Sequence, residues 1–318
     1  MAQAILFDGP KVAELDSLSD RPHRLSGSTL LWVDLDGEVG AGAEEVAEAF
    51  DLDDETRDSL AQPSERAVFK DHGHYLHITA YAPREDDEGK LHALECVVGQ
   101  NWVVTAHDRP IAVLEDFTAR ISGSGDTGSL DGPGFLAALL DWVLSSYTAA
   151  FERIEQRLEE FEVQAMRGRG GGEDIEKLVA MRLEVGTLRR ALAAHRDALV
   201  ALTHPELDAL GDEASSKRFA SLFSRFESTM QEARDARETI VGAFDVLIAR
   251  SGHQTNQIMK VLTLVSVILL PGSLLAGVMG MNFEVGFFAT TWLFWVVLAV
   301  IIAVAPLTLG LAKRRDWI

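Results

Sequence analysis

The sequence predicts a membrane protein with an N-terminal cytosolic α/β domain, long stalk helices and two C-terminal transmembrane helices. Three observations carry this. Residues Val261–Met279 and Trp292–Ala312 are apolar and free of ionisable side chains, and each reaches the ~20 residues a helix needs to cross a bilayer. Four of the 29 basic and two of the 49 acidic residues lie beyond residue 250, which leaves 25 against 47, a net of −22, on the preceding part. Between the two regions, apolar residues step by three and four over long runs, the period of helices.

Strand and helix periods alternate at first. GSTLLWVDLDG (27–37) is a short apolar run between glycines. HYLHITAYAP sets Tyr75, His77, Thr79 and Tyr81 against Leu76, Ile78 and Ala80. LECVVGQNWVVTAHDRP reads as two strands about a Gly99–Gln100–Asn101 turn. AEEVAEAF and DETRDSLA read as helices between them, so residues 1–130 form an α/β domain. ISGSGDTGSLDGPG (121–134) reads as a linker or long loop. Leu144, Tyr147, Phe151, Ile154, Leu158 and Phe161 then keep one helical face, RGRGGGED breaks it, and Leu178, Met181, Val185, Leu188 and Leu192 resume it. Residues 131–210 are therefore expected to be an antiparallel helical hairpin. After His204–Pro205 and GDEASS, a third helix within 211–279 should run from about Ser216 into the membrane, a rod of roughly 90–100 Å.

The loop 280–291 is short, so the spans form a hairpin with both chain ends on one side. Lys260 precedes the first span and Lys313, Arg314 and Arg315 follow the second, within a basic tail at 313–318. The loop carries only Glu284. The positive-inside bias then places both termini in the cytoplasm of a multi-pass protein of the cell (inner) membrane, in contact with lipid.

Composition excludes several classes. With 47% apolar residues the 318-residue chain is not disordered, and a lone Cys96 makes neither an intramolecular disulfide nor a cysteine-ligated zinc site. MAQAILFDGP has no charge ahead of its apolar run, so no secretory signal is expected. A net charge of −20 argues against nucleic acid and for cations as partners.

One face of the third helix carries Asp245, Ile248, Gly252, Asn256, Met259, Leu262, Ser266, Leu270, Ser273 and Gly277. Two readings fit. Small residues make a packing seam between membrane helices. Alternatively, rings of carboxylate and amide oxygens attract hydrated cations, and rings of Met and Leu close a conduit by dewetting. The second reading requires an oligomer, because two spans enclose nothing.

NQIMKVLTLVSVILLPGSLLAGVMGMNF resembles the first membrane helix of CorA-type divalent-metal channels. The matching residues are Asn256, Met259–Lys260, Leu262–Thr263, Pro271, Gly277 and the Gly280–Met281–Asn282 motif at the outer end of the first span, followed by a tail ending Asp316–Trp317–Ile318. The likeness is strongest over 245–318; before that, VVGQNWVVTAHDRP looks like the family's N-terminal sheet. The resemblance implies a funnel-shaped homopentamer whose stalk helices form the pore. Asn282 would hold the ion through its hydration shell in an outer selectivity filter, with Gly280 and Met281 shaping that loop. Asn256 would lie on the pore wall, Met259 and Leu262 in a hydrophobic gate, and Asp245 in a weakly binding ring at the cytosolic mouth.

Two departures stand out. Gly280-Met-Asn-Phe-Glu is followed by Val-Gly-Phe-Phe where magnesium members commonly carry Met-Pro-Glu-Leu; Glu284 is kept. Where some members place a regulatory stalk carboxylate, an ungapped register puts Ser221; Glu227 or the acids of 49–55 are the substitutes, and no regulatory metal site is assigned. Elsewhere, His72, His74 and His77 read as a solvated turn against a zinc site, and the acids of AEEVAEAF and DLDDE as a solvated helix face. Pro271 is a hinge or a tolerated kink, and Trp292, Trp295 and Trp317 are interfacial anchors. RGRGGGED lacks the ending of a phosphate loop, and no nucleophile or paired-carboxylate motif is present, so no enzyme and no resident cofactor are expected. The expectation is a gated passive channel for divalent cations, magnesium first, with cobalt or nickel as further cargo. Two alternatives stay open: a zinc transporter of the ZntB-like branch, suggested by the missing segment, and a non-conducting membrane-anchored cytosolic sensor.

Overall fold

The computed structural model describes residues 2–8, 11–22, 25, 29–36, 41–62, 68–84, 89–107, 131–167, 172–204, 213–281 and 291–314. They divide into two compact units, Met1–Ala243 and Phe244–Ile318.

In the first unit, strands β1 (Ala2–Asp8), β2 (Lys11–Leu15), β3 (Thr29–Asp36), β4 (Phe69–Asp71), β5 (Leu76–Pro83), β6 (Leu91–Val98) and β7 (Trp102–His107) form one sheet. Its order is β2-β1-β3-β7-β6-β5-β4. Among the described strands only β3 and β7 pair in parallel, with Trp32 opposite Val103. Helices α1 (Ala41–Phe50) and α2 (Asp54–Ala61) cover one face, where Leu31, Val33, Val97, Val104 and Ala106 meet Val46 and Leu60. The other face takes α3 (Gly132–Arg167), with the Trp32 and Phe135 rings 5.0 Å apart. A sheet covered on both sides buries every residue of β5.

The alternation in HYLHITAYAP therefore does not separate wet from dry. His77 and Glu95, on neighbouring strands, are 1% and 0% exposed. His77 Nε2 lies 2.9 Å from Glu95 Oε2, and Thr79 donates to the same oxygen at 2.9 Å. The facing atoms of His77, Thr79 and Glu95 thus pair across the ladder, which offsets the cost of burying them.

Helix α3 starts earlier than the glycine-rich composition of 121–134 suggests. Gly132 N–H donates to Gln100 O at 2.8 Å, and a Cβ at Gly132 would lie 2.0 Å from Gly99 O. The β6–β7 turn thus holds the helix start, and only glycine fits there. Asp131 Oδ1 accepts from Gly134 N at 2.8 Å as a cap. Residues 121–130 lie outside the described set. The stepped residues of α3 and of α4 (Gly172–Ala194), from Leu144 to Leu192, are all buried.

A break that the period conceals separates α4 from α5 (Arg196–Leu202) at His195. Tyr81 lies beyond the reach of the three-residue β4, so its backbone needs other partners. His195 Nε2 accepts from Tyr81 N at 2.8 Å, while Tyr147 Oη donates to Tyr81 O at 3.0 Å. His195 Nδ1 faces Leu192 O at 3.3 Å.

Helix α6 (Glu213–Met279) is 67 residues long and continues through Pro271. Within the first unit it buries Phe219, Leu222, Phe226, Met230, Ala233, Ala236, Ile240 and Ala243 on one stripe. Polar contacts flank that stripe. Arg225 Nη1 reaches both Asp141 oxygens at 2.9 Å, Arg218 reaches Asp131 at 3.2 Å, and Thr148 donates to Glu232 at 2.9 Å.

The second unit comprises the rest of α6 and α7 (Thr291–Arg314). Among the described residues three helices are long and apolar enough to cross a membrane by length and composition: α3, α6 and α7. More than half of the apolar window of α3 is buried in the first unit, so α3 is a core helix there; the windows of α6 and α7 bury no residue.

The buried His195 supplies a pH test. Burial pulls its pKa down to about 4, against hydrogen bonds to backbone carbonyls that pull it up. Its neutral form therefore contributes stability above the unfolded value near 6.5, and that contribution is lost as pH falls toward 4, about 3 kcal/mol in all. The melting temperature of detergent-solubilised protein should fall between pH 7 and 4.5 more steeply than that of His195→Gln. Parallel pH profiles would show that the ring carries no such linkage.

Candidate ion path

Over Leu264–Met279 α6 has two distinct faces, whereas residues 251–263 are exposed all round. Leu264, Ile268, Pro271, Gly272, Leu275 and Met279 are half-buried, and a Cβ on Gly272 would lie 3.4 Å from Ile301 Cγ2 of α7. The steps between them fix this as the face that meets α7. Met259, Leu262, Ser266, Leu270, Ser273 and Gly277 lie on the opposite face, and all are exposed. Asp245 and Asn256 are exposed on the same side, and Met259 and Leu262 retain 53% and 57% of their surface. Eight of the residues singled out by period thus share one uncovered face.

Ser266 donates its hydroxyl proton to Leu262 O at 2.9 Å, and Thr263 donates to Met259 O at 2.7 Å. With these two protons turned into the helix, each hydroxyl presents its lone pairs outward. At the end of α6, Gly280 N–H donates to Ala276 O at 2.9 Å and Met281 N–H to Val278 O at 3.3 Å. A side chain at Gly280 would crowd the Ala276 oxygen at 3.3 Å. Met281 is exposed. Asn282 and Glu284 lie outside the described residues, as does Trp317.

The first unit does not bring the histidines together. His72 Nδ1 lies 3.2 Å from Asp53 Oδ2, His74 Nε2 lies 3.2 Å from Asp51 O, and His77 faces Glu95. Each ring has a different partner, and the zinc reading fails on that geometry. Gly73, at the turn between β4 and β5, has φ +81, which glycine accommodates without strain. Among the described residues no three His, Cys, Asp or Glu side chains come together as a metal site. Glu44, Glu45, Glu48 and the acids of 51–55 form exposed surface. Ser221 is exposed, and the Glu227 carboxylate sits 3.2 Å from Arg196 Nη2.

Sequence reasoning passed over His253, whose ring meets the Gln257 amide at 3.0 Å; both lie on the stripe that continues to Leu264, not on that of Met259 and Leu262.

The chain is 25% identical over 330 aligned positions to the cobalt/magnesium transport protein CorA of Methanocaldococcus jannaschii, covering 99% of this chain and 98% of the relative. The complete structure of the CorA magnesium transporter from that organism superposes with a TM-score of 0.84 at 22% identity, over 100% of this chain and 99% of the other. The cytoplasmic domain of ZntB from Vibrio parahaemolyticus shares the fold over 79% of this chain and 98% of its own length, with a TM-score of 0.63 at 10% identity. The sequence model described as CorA-like Mg2+ transporter protein matches residues 27–314, and the chain belongs to that family of divalent-cation transporters.

Proposed function

We propose that five copies of this chain enclose a gated, passive path for divalent cations, magnesium foremost, across the cell membrane with both termini in the cytoplasm. The observation that carries the reading is the uncovered face of α6 that lies opposite the α7-facing side over Ser266–Gly277 and whose helical period continues back to Asp245. A lone chain leaves that face without a partner, and a ring of copies gives it an interior. In this reading Asn282 is the filter, shaped by Gly280 and Met281, with Glu284 beside it in the external loop. Met259 and Leu262 form the dry constriction; Asn256, Ser266, Leu270, Ser273 and Gly277 line the wall, and Asp245 rings the cytosolic mouth. Magnesium sheds water reluctantly, so amide oxygens that hold its hydration shell suit it. The membrane potential suffices as the drive: two charges across 100 mV release about 4.6 kcal/mol.

The test is flux into proteoliposomes for magnesium, cobalt, nickel and zinc in turn. Magnesium should pass, and Asn282→Ala should lower its flux severely while the solubilised oligomer keeps its mass. Normal flux in the variant would remove the filter assignment. Preference for zinc would favour the ZntB-like branch, whose cytoplasmic domain shares this fold. Absence of flux for every ion would point to a sensor.

Met259→Ser separates a gate from a packing seam. Water persists beside serine, so a gate so altered should leak at unchanged oligomer melting temperature. Lower flux together with a destabilised oligomer would return the stripe to helix packing.

Asp245 is exposed and should act by concentrating cations rather than by coordinating them. Asp245→Asn should reduce flux by about twofold at low salt, with the deficit shrinking as ionic strength rises. A loss as deep as that of Asn282→Ala, insensitive to salt, would make it a binding site instead.

A further inference from the structure

The hairpin of α3 and α4 carries two unlike outer faces. On α4, Ile175, Val179 and Leu183 follow one another at four-residue steps and keep 53%, 40% and 65% of their surface, an apolar stripe left in water. Arg182 and Arg190 are exposed beside it. All five are turned away from Met181 and Glu184, on the side of α4 that meets α3: Glu184 pairs with Arg157 at 2.8 Å, and Met181 and Phe161 line one groove between the helices. On α3, the side turned away from Arg157 and Phe161 is acidic, with Glu152, Glu155 and Glu159 exposed around Val163, itself 48% exposed.

The two faces match in level. The Arg157–Glu184 pair fixes the antiparallel register, and equal steps along both helices from it put Arg182 level with Glu159, Val179 with Val163 and Arg190 with Glu152, each within one residue. These partners lie on opposite sides of one hairpin and do not meet within a chain. In the proposed ring the axis runs along α6, and α3 runs beside α6 in the same direction: Asp131, Asp141 and Thr148 reach Arg218, Arg225 and Glu232 at sequence offsets of 87, 84 and 84 residues. Rotation about such an axis moves a copy sideways without shifting its level. A ring is also joined head to tail, so each copy presents two different surfaces to its two neighbours.

We infer that the Ile175–Val179–Leu183 face of α4 docks on the Glu152–Val163 face of α3 in the next copy around the ring. The inference rests on the reading that copies of this chain assemble about α6. A second copy is the occupant because its α3 brings carboxylates to the levels of both guanidinium groups and a valine to the level of Val179. Exposed ion pairs contribute little by themselves, so the apolar stripe supplies the adhesion and the charges set the register.

The experiment uses the full chain, solubilised in detergent, with Val163→Cys and Val179→Cys combined and a short bis-maleimide as the probe. The native Cys96 is buried, and each single variant serves as its control. The double variant should give a ladder of linked chains ending at the pentamer, and the single variants should give none. Arg182→Glu should lower the linked fraction by about threefold, and Glu159→Arg added to it should restore that fraction. No ladder from a double variant that keeps the wild-type oligomer mass would overturn the contact and leave the ring standing. Linked dimers from Val179→Cys alone would show the stripe meeting its own copy across a two-fold axis, which overturns the contact as well. A wild-type mass of one chain would remove the ring itself, and the contact with it.

Discussion

An α-helix completes its backbone hydrogen bonds within itself, and the architecture of this chain depends on that property. In hydrocarbon an unpaired peptide group costs several kcal/mol, so backbone entering a bilayer must arrive already satisfied. Helix α6 does so over 67 residues, save for the one bond Pro271 cannot donate, beginning in a packed domain where Phe219 and Phe226 are buried and ending where none of its apolar window is. The polar side chains on the way follow the same rule. Thr263, Ser266 and Thr308 each donate to a carbonyl four residues back, so the apolar segments carry these hydroxyls without stray donors.

The first unit applies the same rule with different groups. Sheet edges and strand ends leave peptide groups that no strand reaches, and side-chain or backbone groups of the helices take them. His195 and Tyr147 engage the two polar groups of Tyr81, and Gln100 O receives Gly132 N–H at the start of α3. Helices held to a sheet by such directional bonds are fixed in position as well as in depth, which apolar packing alone does less well. The Arg225 contact with Asp141 and Ser145 adds the same kind of fixation between α3 and α6. These last groups are substantially exposed, so their energetic share is small beside the buried Phe and Leu residues.

Legibility in the sequence followed periodicity. The strands over 76–107 and the apolar faces of α3 and α4 repeat without interruption, and each was readable from its own residues. The edge strand β2 escaped because Lys11–Glu14 are exposed on both faces and show no alternation. Strand β4, at three residues, is too short to display an alternation. The burial of His77 and Thr79 was hidden because their partner, Glu95, belongs to another strand, and only the pairing register brings it opposite. The end of α4 at His195 was hidden for a related reason: histidine does not punctuate helices, and the break exists because the ring is bonded to Tyr81. On α6, period alone assembled the stripe. It did not reveal that α7 takes the reverse side, which is a matter of contact.

That reverse contact bears on why charge is placed where it is. The chain concentrates a net of −22 before residue 251 and keeps the apolar spans Val261–Met279 and Trp292–Ala312 free of ionisable groups. A carboxylate in a narrow, dry constriction would be desolvated at large cost and would bind a divalent cation too tightly to release it. In the proposed path the formal charge of Asp245 stands at the wide end, where water screens it, and the narrow part offers amide oxygens, hydroxyl lone pairs and thioether sulfur. Such neutral dipoles attract a hydrated ion without trapping it. The attraction that gathers cations and the contacts that sort them are thereby assigned to different groups, so salt should weaken the first and leave the second largely intact.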